Sequence, residues 1–246
     1  MSERQRILVL TGASRGIGHA TAKRFSDDGW RVITVSRQPF PEKCPWGAGP
    51  QDHLQLDLGD FDALPHGIEE MQRRLPDGKL DVLVNNAGIS PKGPNGERLG
   101  VLNSGYADWL GVFNVNLFAV ALLSKGLIRE LAAASGSIVN VTSIAGSRVH
   151  PYAGAAYAAS KAALAALTRE MASEFAPLGV RTNAISPGEI DTSILSPGTA
   201  AFAERQVPMR RLGRPEEVAN AIYFLCSDAA SYVNGAELHI NGGEHV

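Results

Sequence analysis

Cysteine is nearly absent from this chain of 246 residues: only Cys44 and Cys226 occur, which excludes a disulfide framework. An excess of one charge sign is also lacking, because 23 Lys and Arg against 25 Asp and Glu give a formal net charge of −2. No basic run is clustered, so we predict no binding to nucleic acid or to an anionic membrane. We also predict no metal site.

Long apolar runs are missing as well. The apolar stretch after the first six residues is too short for a signal peptide, and we expect no run to be long and apolar enough to span a bilayer. These absences predict a cytoplasmic protein whose thiols stay reduced.

What the chain does have is enough apolar residues, 44%, to bury one large core, and we predict a single domain over residues 1–246. Strand-like runs alternate with helical patterns. This alternation predicts an α/β fold, a doubly wound parallel sheet of seven strands with helices on both faces, in three layers. The strand-like runs are 7–10, 31–35, 53–57, 80–84, 138–143, 180–186 and 236–240.

Two segments interrupt this alternation. Residues 38–50 contain several prolines, which cannot continue a helix, so we predict a loop there. Residues 91–104 are rich in glycine and proline and are predicted to rim a site.

The first strand-like run leads into Thr11-Gly-Ala-Ser-Arg-Gly-Ile-Gly18, after which apolar residues recur with helical spacing. Glycines at 12, 16 and 18 let the backbone turn sharply and approach a ligand. The helix N-terminus offers N–H groups and a positive dipole end to a pyrophosphate. Such a turn can also bind nothing, but the strand before it and the helix after it are the context that a dinucleotide site requires.

Tyr157 and Lys161 are four residues apart, which places a phenol and an ammonium on one face of a helix. A neighbouring cation stabilises a phenolate and lowers the phenol pKa, so this pair can move protons. An aromatic ring packed on a solvated lysine stem has the same spacing, so the pair alone does not decide.

Together these motifs resemble the short-chain dehydrogenase/reductase family, over essentially the whole chain. The matching motifs are Gly12-x-x-x-Gly16-x-Gly18, Asn85-Asn-Ala-Gly88, Asn116, Ser143, Tyr157-x-x-x-Lys161 and Pro187-Gly188. The resemblance implies a Rossmann-type fold and an NAD(P)-dependent oxidoreductase.

The resemblance also implies a role for each catalytic residue. Tyr157 would be the general acid for carbonyl reduction and the base for alcohol oxidation, and Ser143 would hydrogen-bond the substrate oxygen. Lys161 would hold the nicotinamide ribose and lower the tyrosine pKa, and Asn116 would hold a water that links the lysine to solvent. Ser143 precedes Tyr157 by one residue more than is commonest in the family, so we expect a small change in the loop between them and not a displaced serine.

The same resemblance implies the cofactor-binding set. Asp57 is also a possible helix cap. The set comprises Gly12, Ser14, Arg15, Gly16, Ile17, Gly18, Ser36, Arg37, Asp57, Leu58, Asn86, Ala87, Gly88, Tyr157, Lys161, Pro187, Gly188, Ile190 and Thr192.

The end of the second strand favours NADP(H), with NAD(H) possible. Family members that prefer NAD usually place an acid where Ser36 stands. Here Arg37 follows, and Arg15 lies in the glycine turn, so two guanidinium groups are available to a 2′-phosphate. The alternative is that both arginines are merely solvated.

Residues 189–211 are predicted to form a short substrate lid, and Arg148, His150 and Glu189 are candidates to touch a polar substrate. The main prediction is a carbonyl/secondary-alcohol oxidoreductase acting on a small molecule. The alternative is a 3-oxoacyl-thioester reductase, but Ala133, Ala134 and Leu178 stand where such enzymes carry basic residues for the acidic acyl carrier protein.

An alternative of another class is a non-catalytic dinucleotide-sensing regulator. The presence of all four expected catalytic residues, the tetrad Asn116, Ser143, Tyr157 and Lys161, argues against it.

Small and apolar residues over 110–131 and 156–175 resemble those of family members whose helices form dimer interfaces. We therefore predict a homotetramer or homodimer.

Overall fold

The computed structural model describes residues 4–40, 48–192, 195–196 and 198–246. Cys44 and most of the predicted 38–50 loop lie outside these residues. The described strands are Ile7–Thr11 (β1), Arg31–Ser36 (β2), His53–Gln55 (β3), Val82–Asn85 (β4), Ser137–Val141 (β5), Arg181–Pro187 (β6) and Glu237–Ile240 (β7). The described helices are Gly16–Asp27 (α1), Leu64–Arg73 (α2), Tyr106–Phe113 (α3), Ala119–Gly126 (α4), Ile128–Ala133 (α5), Ala155–Phe175 (α6), Thr199–Gln206 (α7) and Pro215–Cys226 (α8).

The seven strands form one sheet in the order β3-β2-β1-β4-β5-β6-β7, and every neighbouring pair is parallel. This confirms the predicted doubly wound sheet. The strand order reverses between β1 and β4, and ligands bind open α/β sheets at that point, beyond the carboxyl ends of the strands.

Alternating side chains of each strand feed two separate hydrophobic cores, which gives the three layers. Ile7 and Val9 face one core, which α2, α4 and α6 complete with Met71, Leu123 and Leu164. Leu8 and Leu10 face the other core, which α1 and α8 complete with Phe25 and Ile222 among others. Because both faces are covered, the strands carry near-continuous apolar runs and so were recognisable in the sequence.

The third strand is shorter than predicted. It ends at Gln55 and not at residue 57, because the chain turns there. The carboxylate of exposed Asp57 accepts a hydrogen bond from the Gly59 N–H at 2.9 Å, which fixes that turn. A single 3₁₀ turn, Pro50–Asp52, precedes the strand.

One expectation about long apolar runs is wrong. The helical run Tyr106–Gly126 has 21 residues and a mean hydropathy of 1.5, long and apolar enough by length and composition to cross a membrane. Asn114 and Asn116 divide this run in the sequence, although they do not end the helical path. In the fold, Val112, Val120 and Leu123 are buried in the chain itself. Packing against the sheet thus accounts for part of its apolar composition.

Candidate active site

A cavity of about 630 Å³ opens where the strand order reverses. Every residue of the predicted cofactor-binding set lines it, and so does Ser143. Asn116 alone among the predicted catalytic residues does not line it. The volume lies in the range of small-molecule and cofactor pockets.

The glycine turn is shaped by close contacts that only glycine permits. Gly12 has a φ of +72°, in the left-handed region, and a Cβ there would lie 2.8 Å from the Ala87 Cα. A Cβ on Gly18 would lie 2.2 Å from the Gly12 carbonyl oxygen. These glycines leave a cradle at the start of α1, where the backbone can approach a pyrophosphate.

Asn86 braces this turn from the end of β4. Its side-chain amide donates to the carbonyl of Thr11 at 3.0 Å and to that of Gly12 at 2.9 Å. The Thr11 hydroxyl in turn accepts from the backbone N–H groups of Asn86 at 3.1 Å and Ala87 at 3.0 Å. Thr11 thus supports the turn, a role that was not predicted from the sequence. Its only signal was its position directly before the first glycine.

The residues expected to contact the adenosine ribose lie in two places. Ser36 and Arg37 are at the end of β2, and Arg15 is in the glycine turn. Arg15 and Arg37 are exposed at the cavity wall, and Ser36 is half-buried between strand and solvent. The Ser36 hydroxyl donates to the Gln38 carbonyl at 3.2 Å. Both guanidinium groups are therefore available to a ligand in the cavity.

Tyr157, Lys161 and Ser143 meet at the other end of the cavity. Ser143 follows β5, and its hydroxyl hydrogen-bonds the Tyr157 phenol. Lys161 lies one helical turn after Tyr157 on α6, with its Nζ 5.7 Å from the centroid of the phenol ring. Lys161 is 3% exposed, and its ammonium donates to the Val141 carbonyl at 2.6 Å. In the chain, a 3₁₀ turn over Ile144–Gly146 and a loop separate Ser143 from Tyr157.

Burial dominates the electrostatics of this group. Burial raises the pKa of Tyr157. The hydrogen bond from Ser143 opposes this rise, and the negative charge of the Glu189 carboxylate adds to it. Burial also lowers the pKa of Lys161 from 10.5 to about 8. At neutral pH the phenol is therefore protonated and most of the lysine is charged.

Asn116 sits in a single π-helical turn, Asn114–Phe118, between α3 and α4. Its side chain is fully buried and has three protein contacts. The amide nitrogen donates to the Ile89 carbonyl and to the Ser160 hydroxyl, each at 3.0 Å, and the amide oxygen accepts from the Ile89 N–H at 2.8 Å. A π turn of this kind often marks a functional position.

The segment after β6 closes one side of the cavity. The Thr192 methyl carbon lies 3.0 Å from where a Gly16 Cβ would be, so this segment reaches the glycine turn. Two main-chain hydrogen bonds, both of 2.8 Å, hold the segment in place. The Asp191 N–H donates to the Gly213 carbonyl, and the Gly213 N–H donates to the Glu189 carbonyl. Residues 193, 194 and 197 of the predicted lid lie outside the described residues. Its helix α7 packs through Phe202 against His150 and Tyr152, with ring centroids 5.7 and 6.0 Å apart.

A solved structure of an oxidoreductase of the short-chain dehydrogenase/reductase family from Brucella ovis, in complex with a partially ordered NAD, is 57% identical to this chain. The match covers 97% of this chain and 100% of the Brucella ovis chain, with a TM-score of 0.85. A family model described as Enoyl-(Acyl carrier protein) reductase matches residues 12–245. The chain belongs to the short-chain dehydrogenase/reductase family.

Two curated relatives extend the comparison. Protein FixR of Bradyrhizobium diazoefficiens is 61% identical over 242 residues, which are 98% of this chain and 87% of that protein. Cis-4-hydroxycyclohexanecarboxylate dehydrogenase of Sinomonas cyclohexanicum is 41% identical over 249 residues, which cover 97% of this chain and 96% of that protein.

In this short-chain dehydrogenase/reductase, further polar residues line the cavity near Tyr157. His150 and Glu189 line the cavity and hydrogen-bond each other through Nε2 and Oε1. Arg148, expected beside them, instead donates to the Glu244 main-chain carbonyl. Lys92 brings the predicted rim segment to the cavity, and Ser90, just before that segment, lines the cavity too. The Lys92 ammonium donates to the Tyr152 carbonyl, and burial followed by the nearby Arg98 lowers its pKa.

Proposed function

We propose that this enzyme interconverts a carbonyl and a secondary alcohol on a small molecule, with NADP(H) as the preferred cofactor. The observation that carries the proposal is the meeting of Ser143, Tyr157 and Lys161 at one end of a cavity whose other end is a glycine cradle. A bound nicotinamide dinucleotide would supply or accept the hydride.

The chain's own residues would manage the proton. Because burial keeps the Tyr157 phenol protonated, it is ready to donate to the oxygen of a carbonyl as that oxygen gains negative charge. Ser143, already hydrogen-bonded to the phenol, would donate to the same oxygen and hold it in place. For alcohol oxidation the phenol must first lose its proton, which requires a nearby positive charge.

Lys161 supplies that charge in part. Its buried ammonium has one described acceptor, the Val141 carbonyl, and Gly88 lies against it: a Cβ there would be 3.3 Å from Nζ. Because Gly88 has no side chain, the space beside the Lys161 ammonium stays open for ribose hydroxyls. The residues present thus fit the cofactor. The Asn116 side chain is satisfied by Ile89 and Ser160, so we propose a positioning role for it, with any relay water held by other atoms of that turn.

The preference for NADP(H) is supported by Arg15 and Arg37 at the cavity wall and by the lack of an acid at Ser36. Guanidinium groups bind phosphate through paired charge-assisted hydrogen bonds. The Brucella ovis relative contains NAD, so a direct comparison of both cofactors is needed.

A small substrate is supported by the relative that acts on cis-4-hydroxycyclohexanecarboxylate. The test is a turnover screen with both cofactors. The panel contains 4-oxocyclohexanecarboxylate, its alcohols, linear ketones and a short 3-oxoacyl thioester. Turnover of at least one ketone or secondary alcohol is expected. Cofactor binding without turnover of any compound would favour the dinucleotide-sensing regulator.

The 3-oxoacyl-thioester reductase is the second candidate, supported by the acyl-carrier description of the family model. Against a carrier-bound substrate stand Ala133, Ala134 and half-exposed Leu178, which give an acidic carrier no basic contacts. Comparison of kcat/KM for free and carrier-bound thioesters over a range of ionic strength separates the candidates. A strong, salt-sensitive preference for the carrier-bound form would restore this second function.

We also propose that the protein self-associates in the cytoplasm. Large apolar side chains along α3, the π turn and α4 remain exposed, and such patches usually mark interfaces. They are Tyr106 at 79% exposure, Phe118 at 42%, Leu110 at 39% and Leu122 at 39%. Light scattering after gel filtration should show a dimer or tetramer, and a monomer at micromolar concentration would contradict this.

A further inference from the structure

Three side chains with metal-ligand chemistry meet next to the substrate end of the cavity. His150, Glu189 and Glu244 are 9%, 8% and 2% exposed, and one ligand atom from each lies within 4.8 Å of the others. They come from three separate segments: the loop before α6, the residue pair after β6, and the segment after β7. We call these three residues the His–Glu–Glu cluster.

Glu244 is the unusual member. Both of its carboxylate oxygens are buried, and neither has a hydrogen-bond partner among the described residues. Burial, followed by the charge of Glu189, raises its pKa, whereas His150 and Arg148 oppose that rise. Arg148 reaches only the Glu244 main-chain carbonyl by hydrogen bond. A buried carboxylate without partners is costly and calls for a specific explanation.

The backbone makes room for this contact. A Cβ on Gly188 would lie 3.0 Å from Glu244 Oε2 and 2.7 Å from the Asn241 Cβ. Glycine therefore lets the segment that carries Glu189 approach the segment that carries Glu244. The two carboxylates are brought together by close main-chain packing, and either a proton on one of them or a bound cation relieves their repulsion.

We propose that the His–Glu–Glu cluster binds one divalent transition-metal ion of the zinc type. One imidazole and two carboxylates are a donor set that Zn²⁺ accepts, with three protein ligands and a fourth position open. His150 and Glu189 line the cavity, so the open position faces the substrate side. No metal site was predicted from the sequence, in which the three residues do not have the spacing of a metal-binding motif.

An alkylammonium ion would also neutralise the carboxylates, but the cluster favours a metal. The imidazole nitrogen and the carboxylate oxygens lie close enough together to share one small ion, whereas an alkyl chain would have to extend into the cavity that His150 and Glu189 line. The Tyr152 N–H donates to His150 Nδ1 at 3.3 Å, so in the free protein Nε2 carries the proton. Metal binding at Nε2 requires that its proton moves to Nδ1, and that both the hydrogen bond to Glu189 Oε1 and the long contact with the Tyr152 N–H are given up.

The ion would connect the segment after β7 to the loop that leads into α6, and so fix the part of the cavity wall that His150 and Glu189 form. In contrast, the pair His66 and Glu69 on α2 is exposed, with side-chain exposures of 84% and 64% and a 3.8 Å separation. His66 therefore offers a control for adventitious surface binding by a histidine beside a carboxylate.

The test uses the full chain without an affinity tag, stripped of metal, and titrated with Zn²⁺, Mn²⁺ or Mg²⁺ alone. Calorimetry should give one Zn²⁺ per chain, with weaker Mn²⁺ and little Mg²⁺ binding, and Zn²⁺ should raise the melting temperature. Glu244→Gln should weaken Zn²⁺ binding by at least about 100-fold. Loss of a residue that merely supports a metal ligand already lowers metal affinity by about 10–100-fold, and loss of the ligand itself should lower it more. His66→Ala should bind like the parent.

Without metal, Glu244→Gln should melt at the same temperature as the parent or higher, since it removes a buried unpartnered charge. This readout separates ligand loss from misfolding, and Glu189→Gln serves as a second ligand variant. Equal Zn²⁺ binding by parent and both variants would overturn the proposal. Stabilisation by methylammonium but not by Zn²⁺ would also overturn it, in favour of an organic cation.

Discussion

Asn116 and Ile89 are joined by two opposed hydrogen bonds: the Asn116 amide nitrogen donates to the Ile89 carbonyl at 3.0 Å, and its oxygen accepts from the Ile89 N–H at 2.8 Å. Ile89 directly follows the turn after β4, and Ser160, the third partner, precedes Lys161 on α6. Asn116 thus ties the segment after β4 to the helix that carries Tyr157 and Lys161.

Replacement of Asn116 by Ala should destabilise the fold and loosen the site together. Each buried group left without a partner costs about 1–3 kcal/mol, so the loss in unfolding free energy should exceed that of an ordinary surface change. Urea unfolding measures it. The control is Asn95→Ala, at an exposed loop position, expected within about 0.5 kcal/mol of the parent. Equal stability of both variants would show that the Asn116 contacts carry little energy.

Lys161 should set the pH dependence of carbonyl reduction. Because burial lowers its pKa to about 8, the cofactor-free enzyme loses this cation as pH rises through about 8. The Tyr157 phenol, with its pKa raised above 10 by burial, remains protonated across that interval. Since kcat/KM for the cofactor reports the cofactor-free enzyme, it should fall above about pH 8.

Lys161→Arg is the matching variant, because a guanidinium stays charged throughout. Its rate should be lower, since the new side chain is larger, but the decline above about pH 8 should vanish. A decline at the same pH in parent and variant would assign the titration to another group.

Arg37→Asp should reverse the cofactor preference. Loss of one charge-assisted hydrogen bond is worth about 1.5–3 kcal/mol toward NADPH, and the new carboxylate also repels the 2′-phosphate. NADH, which lacks that phosphate, should be affected little. Titration of both cofactors into both proteins measures this, with Arg73→Asp on α2, whose side chain is 69% exposed, as the control. Tighter binding of NADH than of NADPH by the parent would refute the preference.

The sheet was predictable because its strands are buried on both faces and so read as apolar runs, and the glycine turn because Gly12 and Gly18 admit no Cβ. The end of β3 was predicted two residues too late. The turn there depends on a local hydrogen bond to the Asp57 carboxylate, and in the sequence Asp57 looks like any acidic residue at the end of a strand. The Glu244 neighbourhood was also missed. It depends on packing between segments far apart in the sequence, and a glutamate near the end of a chain is ordinarily solvated.

The central claim is that Tyr157 carries the proton for a hydride transfer at this cavity, and Tyr157→Phe tests it most directly. The variant removes only the hydroxyl, so cofactor titration and thermal unfolding should match the parent. Turnover of whichever carbonyl compound the screen identifies, followed by nicotinamide absorbance, should fall by about 10² to 10⁴. Turnover near the parent rate, with binding intact, would contradict the account.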